Sequence, residues 1–193
     1  MSDEVKDWKE EGGKLPGGMK GCRKEGGVLL DQIERLLPKE IERRSFEMIE
    51  EELLQRGICI PEREKAITKR VIHATADFEY GYTLVYSKGA VGILEELVRN
   101  GADIVTDTNM ALAGINKKVL ARFGGEAHCF MADEDVAAEA GRRGMTRAAV
   151  SMERAAKIEK PVIFAVGNAP TALVRLYEMA GKRGWRPAVV IGV

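Results

Sequence analysis

Apolar positions recur at helical spacing along two early segments. In KEIERRSFEMIEEELLQRG (39–57), Ile41, Phe46, Ile49, Leu53 and Leu54 fall on one stripe, and Gly57 sits where a glycine ends a helix. Pro61 opens the next, PEREKAITKRVIHATADF (61–78), with Ala66, Ile67, Val71 and Ala74 as its apolar face. From residue 82 the pattern changes. Short apolar runs, YTLVYS (82–87), ADIVTD (102–107), EAHCFM (126–131), PVIFAV (161–166) and PAVVIGV (187–193), alternate with amphipathic stretches.

Strands that alternate with helices imply right-handed crossovers and a parallel sheet. A continuous apolar run such as VIFAV implies cover on both faces. The pattern therefore predicts an α/β, three-layer, doubly wound domain of about five strands. In such sheets ligands bind outside the carboxyl ends of the strands. That places the search at Ser87, Thr106–Met110, Met131–Glu134 and Gly167–Thr171. The first two helices add a layer able to close over that crevice.

The 193 residues (21.2 kDa) are enough for one domain with its own core, and no internal repeat is present. Residues 1 to about 27 are rich in glycine and charge and poor in branched aliphatics, which predicts a disordered tail; a short helix is expected at 29–36, ended by Pro38. We divide the chain into an N-terminal extension, 1–38, and a main folded domain, 39–193. Thirty basic residues balance thirty acidic ones, which argues against a general nucleic-acid binder but leaves room for a local basic pocket. Cys22, Cys59 and Cys129 are odd in number and widely spaced, so neither a disulfide framework nor a zinc site is expected. No secretory leader and no run of roughly 20 apolar residues is seen, and a cytoplasmic protein is expected.

Candidate chemistry is sparse. His128 lies inside an apolar run and reads as a packed strand histidine. His73 sits near a helix end, with Arg70 three residues before it on the same face, and Asp77 four residues on, able to orient the ring if the helix continues. In TDTNMALAG, Asp107, Thr108 and Asn109 are capping types at an expected helix start, and also groups that could face a ligand. In VGNAPTAL, Gly167 permits a tight turn, Asn168 and Thr171 can cap, and Pro170 suits the first helical turn. A helix N-terminus there offers N–H donors to an anionic group. Arg147, in the first turn of another helix, opposes the helix dipole and wants an external anion. GxGxxG, Walker, GxSxG and HExxH patterns are all absent.

Together RVIHATADFEY, IVTDTNMALAGINK, FGGE, GMTRAA and FAVGNAPTALVRL stand in the order found in the precorrin-8X methylmutase (precorrin isomerase) family. The details most resemble its cobalt-precorrin-8 branch, from about Lys39 to Val193. The resemblance implies a flavodoxin-like α/β/α fold and a homodimer with a tetrapyrrole bound near the subunit interface. It also implies transfer of a methyl group from C-11 to C-12 of the corrin macrocycle in cobalamin biosynthesis. Neither an external cofactor nor a protein-bound metal is implied; cobalt, where present, belongs to the substrate. His73 aligns with the family's catalytic histidine, and Arg70 and Ser45 with substrate contacts. Arg147 matches the arginine of a TRS motif whose serine is here Ala148, which puts one hydroxyl contact in question. Thr108, Asn109, Asn168 and Thr171 complete the expected substrate-binding set. Family members continue beyond the last strand with a glycine-rich loop, so weakened activity is expected of the chain ending at Val193; normal turnover would refute that. The competing readings are a corrinoid-binding protein without turnover, and a flavin- or nucleotide-binding domain. No phosphate fingerprint supports the last.

Overall fold

The computed structural model describes residues 37–182 and 185–192. The tail expected at 1–27 and the short helix at 29–36 lie outside the described residues. Two compact units divide between Glu47 and Met48. Residues 37–47, the described part of the first, form the opening turns of helix α1 (Pro38–Gln55), where Arg43 pairs with Glu47 at i+4.

In the second unit, the later part of α1 buries Ile49 and Leu53, while Leu54, expected on the same stripe, is exposed. Helix α2 (Glu62–Thr75) turns a different face inward than its apolar spacing predicts. Thr68 and Ile72 are each 1% exposed, whereas Ala66 and Ala74 face solvent. Burial of Thr68 is possible because its Oγ1 lies 3.0 Å from the Tyr86 hydroxyl, so the polar atom keeps a partner.

The expected strand at 82–87 does not form. Helix α3 (Tyr80–Thr83) begins instead, with the N–H groups of Tyr82 and Thr83 donating to the Glu79 carbonyl, and residues 84–87 join no strand. The alternation in YTLVYS is not that of a strand lying on a core, since Val85 is 93% exposed and Tyr86 instead ties this segment to α2.

The sheet among the described residues therefore has four strands rather than five. After helix α4 (Ala90–Arg99) come β1 (Asp103–Thr106), helices α5 (Asn109–Gly114) and α6 (Lys117–Arg122), and β2 (Ala127–His128). Then follow α7 (Glu134–Arg143), α8 (Arg147–Ala155), β3 (Val162–Val166), α9 (Pro170–Lys182) and β4 (Val189–Gly192). All strands pair in parallel in the order β2-β1-β3-β4, with Val105 opposite Phe164, Thr106 opposite Ala165 and Ile163 opposite Val189. This is the flavodoxin-like order, which reverses direction between β1 and β3. Val162, Phe164 and Val166 point to one face, against Met152 and Ala155 of α8 and Ala172 and Leu176 of α9. Ile163, on the other face, is 1% exposed, so the sheet is covered on both sides.

Glu153 of α8 ties its layer together, accepting from Arg143 of α7 (2.5 Å) and pairing with Arg175 of α9. The Arg143 guanidinium, with Arg175 behind it, outweighs burial and holds the Glu153 carboxyl below its ordinary value. At the amino ends of β1 and β2 two segments cross backbone to backbone. A Cβ on Gly125 would lie 2.4 Å from the Ala102 carbonyl oxygen, and one on Gly101 2.7 Å from that of Phe123. Among the described residues no helix is long and apolar enough to cross a membrane.

Candidate active site

At the switch point β1 delivers three polar residues in succession. Thr106, fully buried, places its Oγ1 3.0 Å from the Thr108 carbonyl and 3.3 Å from that of His128, joining the ends of β1 and β2. Thr108 caps α5, its Oγ1 accepting from the Ala111 N–H at 3.1 Å. Its own hydroxyl hydrogen stays available to a ligand. Asp107 was expected among the capping residues of the same helix, but it turns the other way. Its carboxylate crosses to the end of β3 and accepts the N–H groups of Gly167 (3.1 Å), Asn168 (2.8 Å) and Ala169 (2.7 Å). Burial disfavours the charge, but these three backbone bonds outweigh it and hold the carboxyl below its ordinary value.

This corrects one expectation. The N–H donors before α9 do not wait for an external anion, because Asp107 already fills them. What the loop still presents is the exposed side chains of Asn168 and Thr171. Thr146, cap of α8, donates to Thr171 Oγ1 at 2.9 Å, so the Thr171 hydrogen is free to point outward. The next residue, Arg147, is the first of α8, is exposed, and makes no ion pair among the described residues. Ala148 is 3% exposed in the main core, so that position faces the sheet and not the crevice. The segments carrying Thr108, Arg147, Asn168 and Thr171 are thus bonded to one another through Asp107 and Thr146. Asn109, the first residue of α5, is exposed beside them.

Arg70 and His73 stand on the last turns of α2, both exposed, one helical turn apart. The helix stops at Thr75. Ala76 adopts a left-handed conformation (φ 57°), its N–H closing on the Ile72 carbonyl at 2.7 Å. Asp77 therefore does not sit at i+4 on a continuing helix, and its Oδ1 accepts the Glu79 N–H at 2.8 Å. Ser45 belongs to the first compact unit, where its hydroxyl donates to the Ile41 carbonyl at 2.9 Å. His128 is half-buried on β2 and stacked on Phe130, as its apolar context predicts. Among the described residues no cluster of three His, Cys, Asp or Glu could hold a metal. Cavities of about 430 and 450 Å³ open along the outer side of α7–α9, away from every residue of the candidate site.

A hydroxyl- and amide-lined crevice edge with an exposed arginine, and an exposed histidine on a separate helix, suits a large anionic ligand. Comparison with known proteins places the chain in a family. The family model for precorrin-8X methylmutase matches residues 40–193. The chain belongs to the precorrin-8X methylmutase family. It is 39% identical over 156 residues to the cobalt-precorrin-8 methylmutase of Priestia megaterium, covering 81% of this chain and 68% of that one. With the cobalt-precorrin-8 methylmutase of Salmonella typhimurium it shares 43% over 146 residues, covering 73% and 69%. The crystal structure of precorrin-8X methylmutase from Thermus thermophilus superposes with a TM-score of 0.69 at 36% identity, over 79% of this chain and 72% of that one. As a methylmutase the chain is an isomerase of cobalamin biosynthesis. Within that family, sequence reasoning missed Asp107 as a bridge, because its partners lie 60 to 62 positions away. The one available signal was an aspartate directly after the strand that borders the switch point.

Proposed function

We propose that the chain moves a methyl group from C-11 to C-12 of cobalt-precorrin-8, giving cobyrinate, with His73 as the acid. The observation that supports this best is Arg147: a cation without an ion pair among the described residues, at a helix N-terminus where the dipole opposes it, is suited to receive an external anion. The substrate's acetate and propionate groups supply such anions, and bidentate arginine contacts are the strong way to hold them. The cobalt form is favoured because two relatives at 39% and 43% identity bear that name.

The reaction breaks one carbon–carbon bond and forms another within one molecule. A proton lent to a ring nitrogen beside the migrating centre lowers the barrier and returns to the imidazole afterwards, so neither oxidant nor group donor is consumed. His73, exposed on the last turn of α2, carries an imidazole, which can both lend a proton and take it back. Arg70 and Ser45 are assigned to substrate side chains, as are Thr108, Asn109, Arg147, Asn168 and Thr171. We assign no resident cofactor, a cytoplasmic location, and a homodimer whose second subunit helps enclose the macrocycle; the exposure of Arg70, Asn109, Arg147, Asn168 and Thr171 in the single chain supports that enclosure.

The test follows conversion of cobalt-precorrin-8 by absorbance for wild type and His73→Ala. General acid catalysis of this kind contributes roughly 10²–10⁴-fold, so the variant should lose about that much of kcat while still binding the product corrinoid. Turnover by His73→Ala within a few fold of wild type would remove His73 from the chemistry. Binding without turnover by the wild type would make the chain a corrinoid carrier.

A further inference from the structure

Two loops flank the crevice at the switch point, one after β1 and one after β3, and a single side chain joins them. Asp107 is 0% exposed. Its two oxygens take three consecutive N–H groups, those of Gly167, Asn168 and Ala169, at 2.7–3.1 Å. These are the donors that a helix N-terminus ordinarily turns toward a bound anion.

We infer that Asp107 is a positioning residue: it locks the 167–169 loop to the end of β1 and removes that loop's backbone donors from recognition, so that substrate is read there by the side chains of Asn168 and Thr171. This rests on the functional reading above and adds to it.

Three observations support the inference. The bridge spans adjacent strands in register, Thr106 opposite Ala165, so the carboxylate reaches the turn without distortion of either strand. Asp107 plays no part in capping α5, since Thr108 performs that task. The same loop is pinned a second time at its far end, where Thr146 donates to Thr171 Oγ1 at 2.9 Å, which leaves the Thr171 hydrogen and the exposed Asn168 amide as its free polar groups. An internal carboxylate at the mouth of α9 also disfavours a second anion in direct contact with the backbone there. An amide and a hydroxyl can donate from farther out.

The test uses Asp107→Asn and Asn168→Ala in the full chain. Asparagine keeps the shape but turns an amide NH₂, itself a donor, toward one or two of the three N–H groups and lacks the charge, so the loop should loosen. We expect Asp107→Asn to raise KM for cobalt-precorrin-8 about tenfold or more, the scale of one or two lost charge-assisted hydrogen bonds, with kcat within about threefold. Amide exchange at 167–169 should quicken in the variant while that of β1 and β3 stays slow. Asn168→Ala should raise KM without altering the exchange pattern or the melting temperature. A merely structural Asp107 would lower the active fraction and leave KM unmoved, and that result overturns the inference. If Asp107→Asn does not fold, an unchanged KM for Asn168→Ala overturns it equally. A wild type that neither binds nor converts the corrinoid sinks the functional reading as well. A wild type that converts it with the same KM as both variants sinks this one alone.

Discussion

The contact between Thr68 and Tyr86 allows a quantitative check, because it fastens the helix that bears Arg70 and His73 to the segment after α3. Thr68 is 1% exposed and its hydroxyl stands 3.0 Å from that of Tyr86, which is half-buried. Tyr86→Phe strands a fully buried hydroxyl and should cost about 1.5–2 kcal/mol. Thr68→Val is nearly isosteric. It strands the tyrosine hydroxyl, which has some access to water, so about 1 kcal/mol is expected. The double variant removes both polar atoms and leaves nothing stranded. It should cost about 1 kcal/mol in all, which gives a coupling of about 1.5–2 kcal/mol in the cycle. Urea unfolding with a common slope for all four proteins measures this, and each kcal/mol should move the melting temperature about 2–4 °C for a chain of this size. Additive single effects, with coupling below about 0.3 kcal/mol, would show that the hydroxyls are no energetic pair and that the inward face of α2 has another cause.

Other outcomes follow from the same coordinates. Ala76 holds φ 57°, a conformation that costs an L-residue about 1 kcal/mol; Ala76→Gly gains that and loses about 0.5 kcal/mol through a more flexible unfolded chain, so calorimetry should show a small net stabilisation, whereas Ala76→Val should destabilise. Phe164 is 0% exposed at the centre of the core, edge-on to Trp185; Phe164→Ala should cost about 3–5 kcal/mol in urea unfolding and alter tryptophan emission. Depressed carboxylates set the acid limb, Glu153 among them. Hydrogen bonds from Lys65 and then Lys69 bring Glu50 down to about 2 from 4.5, and Asp107 also lies below its ordinary value. A depressed carboxylate contributes fully above its unfolded value and loses that contribution as pH falls through the folded one, so stability should drop from about pH 4.5 toward 2, and Glu50→Gln should flatten part of that slope.

Elements whose apolar signal is both local and continuous were legible from the chain alone. VIFAV is a buried strand because each of its residues meets protein on whichever face it points to, and the turn GNAPT follows because a proline and small polar residues can open a helix there. YTLVYS carries a similar string but pairs with no strand among the described residues, and pairing is not written in periodicity. The inward face of α2 was hidden for a related reason. Thr68 counts as polar until Tyr86, 18 residues on, supplies its hydrogen-bond partner. Among the site residues, Thr108 and Arg147 were readable as a cap and as a cation out of place at a helix start. The bridge from Asp107 was not, since its purpose exists only once two distant strands lie side by side.

The crossing at Gly101 and Gly125 bears on how the FGGE string should be used. It lies at the amino ends of β1 and β2, on the rim opposite the crevice, where a methyl group at position 125 would strike a carbonyl oxygen. Mutagenesis libraries aimed at new substrates can leave these four letters fixed. Clones altered at position 125 should vanish at the expression stage whatever ligand is offered, and their loss would report a steric collision between main chains and nothing about catalysis.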